Sequence, residues 1–219
     1  MIRPAAKASV KPRLRGLSHE IAFYFSIAGT VALTVSAAPG VATVAALIYG
    51  LSLVTLFGTS ALYHRPMWSP VARDRLRRAD HAAIFVLIAG SYTPMGLLAL
   101  PPESGHRLLA VVWGLCLLGL VKALVWPHAV RWLTAALYVF VGWAALLEWS
   151  ALGSFLGPAG IGLIAGGGAC YSLGALIYAR RRPDPAPTVF GYHEIFHALV
   201  VVAAMLHFAV LARIILSAG

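Results

Sequence analysis

The 219 residues are 60% hydrophobic and only 11% charged, against about 25% charged residues in an average soluble domain. No soluble domain of this length buries so much apolar surface, so the excess must face lipid. The formal charge of +10 needs no nucleic-acid partner, because basic loops set membrane topology and touch anionic headgroups. No base-stacking module accompanies the charge, and nucleic-acid binding is not expected.

A membrane span needs about 20 predominantly apolar residues, and the chain supplies seven such runs between short polar breaks. In chain order they are residues 21–38, 41–63, 82–100, 108–126, 132–147, 159–179 and 195–216. The first ends at Pro39-Gly40, the second at His64-Arg65-Pro66, the third at Pro101-Pro102 and the sixth at Arg180-Arg181-Arg182-Pro183, where helices are expected to stop. The fifth is short and must borrow flanking residues. The expected fold is therefore an all-α membrane protein, a seven-transmembrane helix bundle over 18–219 behind a basic segment at 1–17. Glu20 and the length of the first apolar run favour an uncleaved first helix over a signal peptide.

Charge orients this bundle. With seven spans, all of the 17 basic residues except Arg107 and Arg213 fall on one side. By the positive-inside rule that side is cytoplasmic, which puts the N-terminus inside and the C-terminus outside. Cys116 and Cys170 stand alone within apolar runs and imply no disulfide framework. Gly153/Gly157 and Gly162/Gly166 have the G-x-x-x-G spacing that lets helices approach closely, inside the bundle or at a dimer interface.

Ionisable residues in membrane spans are costly and usually mark function. Here they share one depth. His64 ends span two, Asp80 and His81 open span three, and His193, Glu194 and His197 open span seven, all near the cytoplasmic face. His193 and His197 stand at i, i+4, so their imidazoles share a helix face. Ser60 and His64 have the same relation. Three histidines with an open fourth position suit a catalytic zinc ion, whose water ionises near neutral pH. Iron, cobalt and nickel remain open on residue type alone. Asp80 is placed to orient that water and take its proton, and Ser60 to donate a hydrogen bond or polarise a substrate carbonyl.

His81 points about 100° from Asp80 on an ideal helix and is expected behind the ligands or at the interface. Glu194 turns off the ligand face, toward solvent or a basic loop. His207 lies ~15 Å deeper than His197, too far to share an ion, and is expected to bond a neighbouring helix or line a cavity. His19 and Glu20 open span one at the same inner layer, either guarding access or marking the interface.

The motifs Ser60-Ala61-Leu62-Tyr63-His64, Arg78-Ala79-Asp80-His81 and His193-Glu194-Ile195-Phe196-His197, continuing to His207-Phe208, resemble the signatures of the hemolysin III proteins. That group belongs with the progestin and adipoQ receptors and, more distantly, the alkaline ceramidases, and the resemblance covers nearly the whole chain. It implies that His64, His193 and His197 bind zinc, that Asp80 contacts the ion through water, and that Ser60 is the serine of the S-x-x-x-H motif. It also implies a membrane hydrolase, with ceramidase activity attached to some members of the wider group. The expected function is zinc-dependent hydrolysis of a lipid amide or ester in the bacterial plasma membrane, with a membrane lipid as substrate or ligand. The alternative is a non-enzymatic sensor or regulator of membrane lipid state held together by a structural zinc. A channel, transporter or lysin is less well supported, since no pore-forming segment is visible. The oligomeric state is left open.

Overall fold

The computed structural model describes residues 11–127 and 130–218. Most of the basic 1–17 segment, including Arg3 and Lys7, lies outside them. The described chain is helical: α1 is Leu17–Ser36, α2 Val41–His64, α3 Pro70–Pro94, α4 Pro102–Val125, α5 Arg131–Gly142, α6 Trp149–Arg180 and α7 Tyr192–Leu216. A π-helical turn, Met95–Ala99, prolongs α3, and a 3-10 turn, Ala144–Glu148, joins α5 to α6.

Among the described residues, five helical stretches are long and apolar enough to cross a membrane: Val41–His64, Pro70–Ala99, Pro102–Val125, Arg131–Arg180 and Tyr192–Leu216. α1 is not one of the five, and its first turn carries His19 and Glu20. Large apolar side chains point outward all over this surface, among them Phe25, Val35, Leu118, Phe140 and Met205. Such a coat is stable only against lipid, and the chain is an integral membrane protein.

Three helices start well before the point that hydropathy alone indicates. α3 begins at Pro70 rather than at 82, because Ser69 caps it by accepting from the Ala72 N–H at 3.3 Å and Pro70 occupies the first turn. Asp74 then bridges to Arg77 and Arg78 at 3.1 and 2.9 Å, the spacing that ties successive turns. This cationic stretch is helical without being apolar. α4 likewise starts at Pro102 rather than 108, with Glu103 in its first turn. α6 starts at Trp149 rather than 159 and bends at Gly157, whose φ of 69° is open to glycine at little cost. The expected fifth span is α5 plus the 3-10 turn, about 28 Å at the usual rises of the two helix types. Tyr92 of α3 holds this break: its hydroxyl donates to Gly142 O at 2.8 Å and accepts from Ala145 N at 2.7 Å.

α7 packs on α1, α2, α3 and α6, and α3 packs on α2, α4, α5 and α7, so these two helices link the rest of the bundle. Small residues set the distances. The close approach of α6 to α7 uses Gly167, which lies directly against the His207 ring, and Gly174, which faces Phe196. The expected G-x-x-x-G pairs contribute less, since a side chain at Gly157 or Gly162 would meet nothing within 4 Å. Cys116 and Cys170 are free, in accord with the sequence.

Replacing Gly167 with Val puts a branched side chain where His207 now sits. Overpacking of this kind costs about 1–3 kcal/mol, and the variant is expected to unfold at lower temperature than wild type in detergent. An unchanged melting temperature would show that α6 and α7 do not meet there.

Candidate metal centre

The centre is built from helix ends. His64 is the last residue of α2, and His193 and His197 lie on the first two turns of α7. α7 can start where it does because Glu194, its third residue, turns back to accept from Gly191 N at 2.8 Å. This caps the helix beside the ligand face.

Tertiary packing brings the three histidines together as their spacing predicts. One ring nitrogen from each of His64, His193 and His197 lies within 4.8 Å of the other two, an arrangement able to hold a metal ion. His64 Nε2 and His193 Nε2 are 3.2 Å apart. Two nitrogens on one tetrahedral zinc, at ~2.0–2.1 Å each, stand about 3.3 Å from one another. Nδ1 of His197 is buried and makes no hydrogen bond, which is costly for a polar atom in an apolar bundle. An all-nitrogen donor set of three imidazoles fits zinc or a similar transition metal.

Asp80 lies beside this group, with Oδ2 3.8 Å from His64 Nε2. It sits well inside α3 rather than at its opening, because the helix began ten residues earlier. The Ser60 hydroxyl approaches Asp80 from one side and is 2.8 Å from His19 Nδ1 on the other. His19 was assigned only to the inner layer by the sequence. It is in fact buried, with its ring stacked on that of His197 at 3.9 Å and 4° from parallel. A signal for this did exist: His19, Ala22, Ser26, Thr30 and Leu33, the buried face of α1, follow helical spacing and are mostly small or polar.

The remaining expectations divide. His81 does not join the histidine group, and its Nδ1–H donates to Arg77 O at 2.7 Å within its own helix. Glu194 is off the ligand face as expected but is buried rather than solvated, paired with Arg15. His207 donates from Nε2 to Ile164 O at 3.2 Å, so it bonds the neighbouring helix, and it also lines the cavity described next.

A cavity of about 740 Å³ runs from the histidines into the bundle as far as His207 and Tyr171. Arg15, Arg73, Arg77, Arg131 and Arg181 line it, and among its described lining residues Asp80 carries the only carboxylate. The chain before α1 crosses the end of the site where α2 stops and α7 starts. Arg13 N and Leu14 N donate to Thr188 O and Val189 O at 3.0 and 3.2 Å, and Lys11 Nζ donates to Arg65 O at 2.6 Å. Burial, then the charges of Arg65, Arg73 and Arg15, push the Lys11 ammonium below its ordinary pKa. Gly16, at φ 79°, ends this strap, and a Cβ there would be 2.7 Å from His64 Cβ.

A family profile described as "Haemolysin-III related" matches residues 8–208. The chain is 33% identical to "Hemolysin-3 homolog" of Bacillus subtilis (strain 168) over 188 residues, which cover 84% of this chain and 85% of that protein. It is 30% identical to "Hemolysin-3" of Bacillus cereus over 207 residues, 93% and 91% of the two chains. A more distant likeness, 25% over 173 residues, is to human "Monocyte to macrophage differentiation factor", covering 75% and 68%. With the matched profile spanning nearly all of α1 to α7, the chain belongs to the haemolysin-III-related family of membrane proteins, within the progestin and adipoQ receptor superfamily.

Proposed function

We propose that this protein is a zinc-dependent membrane hydrolase that cleaves an amide or ester bond of a membrane lipid near the cytoplasmic face. The observation that carries this reading is the meeting of His64, His193 and His197 with Asp80 at the head of a 740 Å³ cavity. A bound zinc ion would supply Lewis acidity toward a carbonyl oxygen and a water acidic enough to ionise near neutral pH.

The chain's own residues do the rest. His64, His193 and His197 hold the ion. Asp80, with one oxygen 3.8 Å from His64 Nε2, is within reach of a water at the centre and can accept its proton. The same carboxyl then becomes the donor that protonates the leaving amine or alkoxide. Ser60 keeps Asp80 oriented by its hydroxyl. The cavity accepts an acyl chain along Leu87, Ile88 and Val200, with Tyr171 and His207 at its inner end. The strap over 11–16 limits entry of bulk water from the cytoplasmic side.

The proposed topology is seven crossings with the N-terminus inside, in a bacterial plasma membrane. α1 supports a sixth crossing element, because its outward face, Ile21, Tyr24, Phe25, Val31 and Val35, is apolar. The stretch Arg131–Arg180, at 50 residues, is more than twice the length of one crossing and supports two. A second reading, a lipid-state sensor with structural zinc, draws on the contact of His64 with His193, which ties the end of α2 to the start of α7.

Three outcomes are expected. Elemental analysis of detergent-purified protein should give about one zinc per chain, lost in His64→Ala and in His197→Ala. A folded, chelator-free preparation without metal overturns the hydrolase reading. Asp80→Ala should keep the metal but lose ~10²- to 10⁴-fold in turnover of a lipid amide or ester, the usual worth of a general base. Full metal with equal turnover removes Asp80 from the reaction, and zinc with no turnover in wild type favours the sensor. Alkaline phosphatase fused to the C-terminus should be active in cells, as an external end requires; activity only at an N-terminal fusion reverses the topology.

A further inference from the structure

We infer that His19 is a positioning residue of the metal centre, holding the ring of His197 in its ligating orientation by face-to-face stacking. This rests on the metal-centre reading above and goes beyond it. It adds a contribution from α1, which supplies none of the three ligands.

A metal-bound histidine is ordinarily held in rotation by a hydrogen bond from its other ring nitrogen to a carboxylate or carbonyl. At His197 the usual device is missing, for its buried Nδ1 has no hydrogen-bond partner. Packing takes its place. The His19 ring lies 3.9 Å from that of His197 and within 4° of parallel, while His64 and His193 stand at steep angles, 68° and 52°, to the same ring. A flat partner on one face and two tilted rings on other sides restrict the rotation of His197.

His19 is itself fixed. Its Nδ1 is 2.8 Å from Ser60 Oγ, and Phe57 meets its ring edge-on at 5.1 Å and 75°. An ionised carboxylate can only accept, so a Ser60 hydroxyl donating to Asp80 takes its own hydrogen bond from His19 Nδ1–H. One imidazole thus joins the serine of α2 to the ligand of α7. The backbone supports the placement: Gly16, the N-cap residue before α1, sits against His64 Cβ. The first turn of α1 therefore touches two of the three ligands.

Cobalt(II) titration of the full chain in detergent, followed by visible absorption, tests this without any substrate. His19→Phe keeps a flat ring over His197, whereas His19→Leu fills the space without one. Helix content by circular dichroism serves as the folding control. Wild type is expected to bind cobalt with a tetrahedral spectrum, His19→Leu to bind about 10- to 100-fold more weakly with an altered spectrum, as loss of an outer partner usually does. His19→Phe is expected to restore affinity to within about threefold of wild type, on the same scale. Equal affinity and spectra in wild type and His19→Leu overturn the inference while leaving the centre intact, and so does a His19→Phe protein as weak as His19→Leu. If His19→Leu fails to fold, His19→Phe against wild type still decides, a loss beyond about tenfold overturning the stack. Wild type that takes up no cobalt overturns both this inference and the metal centre.

Discussion

Polar atoms inside an apolar bundle must find their partners within the protein, because lipid offers none. Several buried serines and threonines meet the demand locally, whereas the hydroxyls of Thr34 and Tyr49 find no partner. Ser26, Thr30, Ser52, Ser91 and Thr93 each donate to a carbonyl three or four residues earlier, at 2.6 to 3.0 Å. Imidazoles and carboxylates on different helices meet it across the bundle only in part, since His19 Nε2 and His197 Nδ1 are left without a hydrogen bond. His19, Ser60, His64, Asp80, His193 and His197 come from α1, α2, α3 and α7 and face one another. The geometry of this end of the bundle follows from that requirement, and so does the chemistry proposed for it.

The same constraint explains the closure of that end. Glu194 is buried one residue from His193, where an unpaired carboxylate would be expensive. It is answered by Arg15 and by the N–H of Gly191. Pairing to Arg15 draws the chain before α1 across the site. The backbone bonds from Arg13 and Leu14 to 188–189 and the bond from Lys11 Nζ to Arg65 O fasten the same strap beside the Arg15–Glu194 pair. An ion pair of this kind contributes register more than stability. The register it gives keeps the histidines away from bulk solvent and leaves the cavity as their opening.

Family membership and chemistry are separate matters, since one fold hosts many activities. The relatives carry names as different as hemolysin and a macrophage differentiation factor. What speaks for hydrolysis is the site: donor nitrogens at zinc-like separation, a carboxyl within reach, and space for a chain beside them.

Much of this was legible in the residues. Depth along a helix is a matter of counting, at about 1.5 Å per residue, so hydropathy and charge place His64, His193 and His197 in one layer. Helical periodicity alone puts His193 beside His197 and Ser60 beside His64. Rotation of one helix against another is not a local quantity, because it depends on the packing of every neighbour. That is why only the tertiary structure decided that His19 faces His197 instead of the interface, that Glu194 is buried against Arg15, and that the close glycine is Gly167. The early start of α3 escaped for a related reason: its first turns are held by a cap and by ion pairs, which a search for apolar runs does not register. The sequence determined the layer, and packing determined which side chains in that layer touch.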